Sequence, residues 1–297
     1  MKASPPTRPP FGAAPVRDMT LPPYEPWRET SGAFRWRLGV RPLDVADWIE
    51  IDEHYEHEVE LKHSIMERHP ATAFAALDAA RPACAEVAES VVEHLRTRFP
   101  DRFTDAELDP TLHPLDAAAR LVQEDLVVMI EEEGRLVFGA GSVCFPNRWD
   151  LRSKIGLTMA EVHEPVSLLN DQLEPVIDDV LARITPERPV WRLGWGVIDT
   201  DDLYQPLDGT AATRPVNAPP SAYHLRVERE TIRRFPDTGC LLFTIRTHQM
   251  PLDDLVTSSR ESAQALANAI ESMPDPIADY KQLRTTGAAI AAWLRST

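Results

Sequence analysis

A chain of 297 residues with 31 basic and 47 acidic side chains has a net charge of −16. That balance argues against nucleic acid or an anionic membrane surface as the main partner. A hydrophobic fraction of 43% with 26% charged residues excludes a wholly disordered chain, and the length suits one large domain or two small ones. The acidity favours solubility and a basic protein partner.

Three cysteines, Cys84, Cys144 and Cys240, stand far apart with no CxxC pair. This is no disulfide framework, and it supports neither a structural zinc site nor a cysteine-held iron–sulfur cluster. The first twenty residues lack an apolar core of the kind a secretory signal needs. The clean apolar run at 288–294 is far shorter than the roughly 20 residues that span a bilayer. A reducing, cytoplasmic setting is the expectation.

Eight of the first thirty residues are proline. Proline fixes φ and removes a donor, so residues 1–33 read as an extended or disordered arm, laid on the domain through Tyr24 and Trp27. Residues 34–297 are then expected to form a single domain. Trp48, Ile51, Tyr55, Val59, Lys62 and Met66 recur at helical spacing, with Asp44 as N-cap. A second stripe, Cys84, Val87, Val91, Leu95 and Phe99, predicts a helix that Pro100 ends. A short third helix covers residues 115–122.

Strand signals follow. Residues 126–130 and 135–145 flank a turn at 131–134 and predict a hairpin. Thr158 and Glu161 match a capping box, and a longer helix starts at Ser167 and runs to Ile184. Three further strands are predicted at 190–198, 223–231 and 240–247, with Gln205 to Ser221 as a long loop before the second of them. From Pro251 onward the pattern is helical in about three pieces.

Strand and helix do not alternate one for one, which excludes a parallel α/β fold. The expectation is an α+β fold: an antiparallel sheet of about five strands, the helices of 153–184 on one face and the terminal helices on the other. Two strands, helices, then three strands is a PAS-like order, and such folds hold a ligand between sheet and crossover helices.

Familiar chemical motifs are missing. Gly139 and Gly141 give GxG without a third glycine, and there is neither HExxH nor GxSxG. His54, His57, His63 and His69 resemble a metal cluster, yet His57 alternates with Glu56 and Glu58 on a wet helix face. Strand alternation is more informative. Trp191, Leu193, Trp195 and Val197 share one face, while Arg192, Gly194 and Gly196 share the other. Gly139 and Gly141 also share a face, and strand glycines mark either a bulge or the close approach of a flat ligand. Arg229 falls in phase with Leu225 and Val227, opposite Arg226, Glu228 and Glu230. Its guanidinium needs a partner, either Glu124 or Asp125 in a structural pair, or a ligand in a cleft. His163, after the capped turn, is either a packed residue or a ligand.

Several segments together resemble one family. They are Gln123-Glu124-Asp125, Ser142 to Trp149, Val162-His163-Glu164-Pro165-Val166, Arg226 to Thr231, and Thr238 to Thr247. Arg41-Pro42-Leu43 and Tyr280-Lys281 add to them. The chain is similar to the α subunit of haem-dependent oxidative N-demethylases, in the same order from about Phe34 to Leu294. The resemblance implies a PAS-like haem domain that oxidises dimethylamine with O₂ to methylamine and formaldehyde, a monooxygenase-type oxidoreductase. Its electrons come from NADPH through separate flavin and iron–sulfur subunits.

On that resemblance His163 is the axial iron ligand, Arg148 and Lys154 partner the haem propionates, and Arg226 or Arg229 meets bound oxygen. Glu124 or Glu230 offers a carboxylate beside the amine. The chain departs from the family pattern at Glu230, His248 and Asn147, where glutamine, tyrosine and serine are usual, which puts the substrate in question. A haem-sensing or small-ligand PAS module and a haem-free docking subunit are the competing readings.

Overall fold

The protein is described from a computed structural model, which covers residues 24–29, 33–34, 38–162, 179–207 and 218–296. Its centre is one antiparallel sheet. The strands are β1 (Arg41–Pro42), β2 (Phe74–Ala76), β3 (Asp125–Glu132), β4 (Arg135–Ser142), β5 (Val190–Ile198), β6 (His224–Arg234) and β7 (Leu241–Pro251). Their spatial order is β1-β5-β6-β7-β3-β4-β2. All five expected strands are present, and the sheet has seven because two short edge strands add to them. Strands of two and three residues are too short to show alternation, and proline at Pro42 suits an edge, where its missing N–H costs no ladder bond.

The hairpin turns at Glu133 and Gly134, whose φ values of 51° and 75° match a two-residue turn with the hand that follows strand twist. Beyond it, Val128 pairs with Ala140 but Met129 pairs with Phe138. Gly139 is therefore the extra residue of a bulge. The bulge corrects the expected shared face of the two glycines. A β-carbon on Gly139 would lie 2.9 Å from Ile130, whereas one on Gly141 would lie 2.6 Å from Leu151 Cδ1. These glycines admit neighbouring side chains and leave no room for a ligand.

Alternation divides the sheet into two covered faces. On the flank face, Leu126, Val128 and Leu242 pack against Val87, Val91 and Leu95 of the Arg81–Arg98 helix. Further along the same face, Leu225, Val227 and Met250 meet Leu266, Ile270, Ile290 and Leu294. On the crossover face, Val127, Met129, Ile232 and Leu241 pack against Leu151, Leu181 and Ile184, from the segment joining β4 to β5.

Trp27 of the arm is buried in the flank cluster and its indole donates to the Ser262 carbonyl and hydroxyl. The C-terminal part holds four helices, Leu252–Ser258, Arg260–Glu271, Asp275–Tyr280 and Gly287–Ser296, among the described residues.

The first long helix starts later than its periodicity predicts, at Tyr55. Asp44 does act as a cap, but of a single turn over Val45–Asp47. Residues 48–54 spend their backbone on distant partners instead. Glu50 N–H donates to Glu124 Oε1 at 2.8 Å, Asp52 N–H donates to Gln123, and the Trp48 carbonyl accepts from Arg229. Those bonds replace the helical ones, so tertiary context overrides local periodicity.

Candidate functional site

The capping box at the crossover forms as its sequence dictates. Thr158 N–H donates to Glu161 Oε2 at 2.7 Å, and Glu161 N–H donates back to Thr158 Oγ1 at 3.4 Å. Just beyond it, His163 and the predicted start of the next helix at Ser167 lie outside the described residues. The described chain on either side packs on the crossover face, through Val162 before and Leu181 after. Lys154 donates from Nζ to the Val162 carbonyl at 2.8 Å, one residue before His163.

On this same face β5 and β6 present three cross-strand pairs: Arg192 with Glu230, Gly194 with Glu228, and Gly196 with Arg226. Arg192 grips Glu230 through two bonds of 2.7 and 3.0 Å. The Glu230 charge raises the Arg192 pKa further against the opposing effect of burial. Arg226 is 1% exposed and donates from Nε to Glu228 at 2.7 Å, with further bonds to the Phe145 carbonyl at 2.6 Å and the Thr247 hydroxyl at 3.1 Å.

Between these charges the glycines leave bare backbone. Among the described residues, a β-carbon on Gly196 would meet no atom within 4 Å, and one on Gly194 would meet the Glu230 and Glu228 carboxylates at 3.4 and 3.6 Å. Near the end of β5, Arg148 sits at a positive φ of 57° and pairs with Asp199 and Gln282. Lys281 donates to the Trp195 carbonyl of β5, and burial lowers its pKa to about 8.

The flank face carries a second polar group around a cavity of about 810 Å³, whose lining includes Tyr24, Glu50, Asp52, Trp191, Arg229 and His248. Glu50 is its hub, accepting from the Tyr24 hydroxyl and lying 3.1 Å from His248 Nε2 and 3.4 Å from Arg229 Nε. Burial pushes the Glu50 carboxyl up, but His248, Arg229 and Tyr24 together outweigh it and hold it below its ordinary range. Arg246, 1% exposed, closes the cavity floor on Asp52 at 2.6 Å and Glu58 at 2.7 Å.

Arg229 has the strand phase expected of it, yet that phase turns it towards the flank helices. Its partners are the Asp47 and Trp48 carbonyls and Glu50, which corrects the expected pairing with Glu124 or Asp125. Both of those carboxylates serve backbone amides instead. Asp125 accepts from Cys144 and Phe145 at 2.8 and 2.9 Å, and Glu124 from Glu50. Arg229 and Glu124 therefore lie on one side of the sheet and Arg226 on the other.

The histidines of the first helix have ordinary surroundings. His63 Nε2 is 3.0 Å from the Arg120 carbonyl, and His69 packs on the Tyr204 ring. The three cysteines are buried thiols, with burial raising Cys84 to about 12 and Cys240 to about 11. Sequence reasoning missed the Glu50 hub, which joins residues far apart in the chain and leaves no local pattern. Strand phase put Gly194 with Gly196 and Arg226 with Glu228, each on its own strand, and only the sheet pairs the two sets.

The fold is an α+β architecture, a seven-stranded antiparallel sheet with helices packed on its faces and a half-buried strip of charged pairs beside two glycines. The family model of haem-dependent oxidative N-demethylase, alpha subunit-like proteins matches residues 39–291. The chain belongs to that family, whose name carries haem dependence, oxidative N-demethylation and a place in a multi-subunit assembly. No helix among the described residues is long and apolar enough to cross a membrane.

On the crossover face the described residues offer side-chain-free backbone and apolar side chains, the kinds of surface against which a flat ring would pack. Among the described residues nothing stands within 4 Å of a β-carbon placed on Gly196, and Phe243 and Val190 lie in the apolar cluster of the same face. Arg148, Arg192 and Arg226 surround the strip, each already joined to a carboxylate.

Proposed function

We propose that this chain is the haem-bearing subunit of an oxidase that removes a methyl group from a small secondary amine such as dimethylamine. The carrying observation is the glycine strip, uncovered among the described residues, which lies on the sheet face where the described chain on either side of His163 packs. The sheet order β5-β6-β7-β3-β4 supports a PAS-like arrangement with its ligand between sheet and crossover. Haem bound there would supply O₂ activation. One oxygen atom would become the formaldehyde oxygen and the other water, with two electrons drawn from NADPH through separate flavin and iron–sulfur subunits.

The chain's own residues have narrower tasks. His163 is the proposed iron ligand, and Lys154 holds the Val162 carbonyl beside it in sequence. Arg148, near the end of β5, is the proposed cation for a propionate. Arg226, fixed by buried bonds, brings a positive charge to the strip where negative charge develops during oxygen reduction. Glu124 and Arg229 support the strip from the far side of the sheet rather than face it.

The acid-rich outer face of the first helix, with Glu56 and Glu60 exposed, suits a basic reductase partner. The deciding experiment loads purified protein with haem and supplies dimethylamine, O₂ and a reductase-type electron source. Formaldehyde and methylamine in equal amounts support the reading. A haem-loaded chain that binds the amine without turnover favours a sensing module instead.

A further inference from the structure

Among the described residues, every other arginine that is buried or half-buried meets a carboxylate or a backbone carbonyl. Arg233 does not. It stands near the end of β6, in strand phase with Arg229 and Thr231, and so turns towards the flank helices. Its guanidinium carbon lies 4.1 Å from the centre of the Trp48 ring and 5.3 Å from that of Phe235. Its Nε is enclosed without a hydrogen-bond partner. Burial alone pushes its pKa down to about 10, with no carboxylate opposing.

Two neighbours are in the same condition. Trp48 is 0% exposed, and its indole N–H has no acceptor. His94 meets the Trp48 ring edge to face at 5.2 Å, and its Nε2 is buried without a partner. Burial, and then the Arg233 and Arg98 charges, push the His94 pKa down to about 4, so the ring is neutral at pH 7. Buried polar groups are as a rule hydrogen-bonded, and three unmatched ones side by side call for a ligand.

We propose that the corner formed by Arg233, Trp48 and His94 binds a small carboxylate of the size of formate or acetate. Stacking on Trp48 fixes the guanidinium plane and leaves its terminal N–H fork to meet both carboxylate oxygens. The charge count selects a monoanion. His94 is neutral, while Arg98 donates to the Ala46 carbonyl at 3.0 Å and lines the neighbouring cavity with Asp44 and Asp47. One negative charge therefore matches Arg233, and the second charge of a phosphate would stand uncompensated beside Trp48 and Phe235. The corner lies across the sheet from the glycine strip, so its occupancy does not depend on haem.

The test is titration of the isotope-labelled full chain with sodium acetate at constant ionic strength and neutral pH, followed by proton–nitrogen correlation NMR. Trp48→Phe identifies the indole signal. The Trp48 indole N–H and Arg233 Nε–H signals should move together and saturate, with a Kd in the millimolar range. Arg233→Lys keeps the charge but loses the fork, and should weaken acetate about tenfold. Arg233→Met should abolish the saturable shift, and the lysine variant decides where the methionine one does not fold. Equal acetate affinity in wild type and Arg233→Lys overturns the assignment, as do wild-type signals that never saturate or that respond equally to chloride. Tighter binding of phosphate than of acetate overturns the choice of a monoanion.

Discussion

Glu124 Oε1 accepts the Glu50 backbone N–H at 2.8 Å, while Glu124 Oε2 is buried without a hydrogen-bond partner. A carboxylate in that position is poorly compensated, and burial raises its pKa to about 7, against the smaller opposing effects of the Glu50 amide and Arg246.

The consequence is a stability change on the acid side of neutral pH. The folded pKa lies above the unfolded one, so the contribution of this group is fully present below the ordinary carboxyl range. It is lost as pH rises through about 7. Glu124→Gln removes the titration. The variant should gain stability relative to wild type between about pH 5 and pH 8, by on the order of 3 kcal/mol at most. Urea unfolding of both proteins across that range measures it, and a constant difference refutes it.

Arg246 is buried against two carboxylates, Asp52 and Glu58. Replacing it with alanine leaves both charges without their cation, which costs about 3 to 5 kcal/mol. Pairing Arg246→Met with Glu58→Gln should recover part of that loss. A double-mutant cycle by chemical denaturation reads the coupling, and additive losses would show that the pair contributes nothing of its own.

Arg229 and Arg226 should separate by readout. Arg229 bonds to the Asp47 and Trp48 carbonyls, so Arg229→Met should lower the unfolding midpoint and leave haem uptake intact. Arg226 bonds on the crossover face to Glu228, the Phe145 carbonyl and Thr247, so Arg226→Met should impair haem uptake or oxygen consumption as well. Haem loss confined to Arg229→Met would place the ring on the flank face.

The glycines offer a matched pair. A methyl at 141 collides with Leu151 at 2.6 Å, whereas one at 196 meets nothing within 4 Å. Gly141→Ala should cost about 1 to 3 kcal/mol. Gly196→Ala should leave stability within about 0.5 kcal/mol and instead impair haem uptake. Normal haem loading in Gly196→Ala counts against the strip as the haem floor.

The His163→Ala change should shift the Soret band, because losing an imidazole ligand alters the coordination of the iron. An unchanged spectrum and haem content would leave His163 as a packed residue. The isolated chain should also oxidise NADPH slowly, and vigorous oxidation would refute the need for a separate reductase.

The sequence by itself determined the α+β class, the five long strands and their facing residues, the capping box and the family. All of these arise from local periodicity or from ordered motifs. Alternation correctly put Arg229 opposite Arg226 and Gly194 beside Gly196. What it could not say is which face each set would meet, because phase is a property of one strand and covering is a property of the whole chain. The tertiary structure decided that the Leu225 face turns towards the flank helices and the glycine face towards the crossover. It also decided the surroundings of Gly139, where a single bulged residue reversed the face, and the late start of the first helix. At Trp48 to His54 the bonds to Glu124, Gln123 and Arg229 come from residues 71 to 181 positions away, and no local pattern records them.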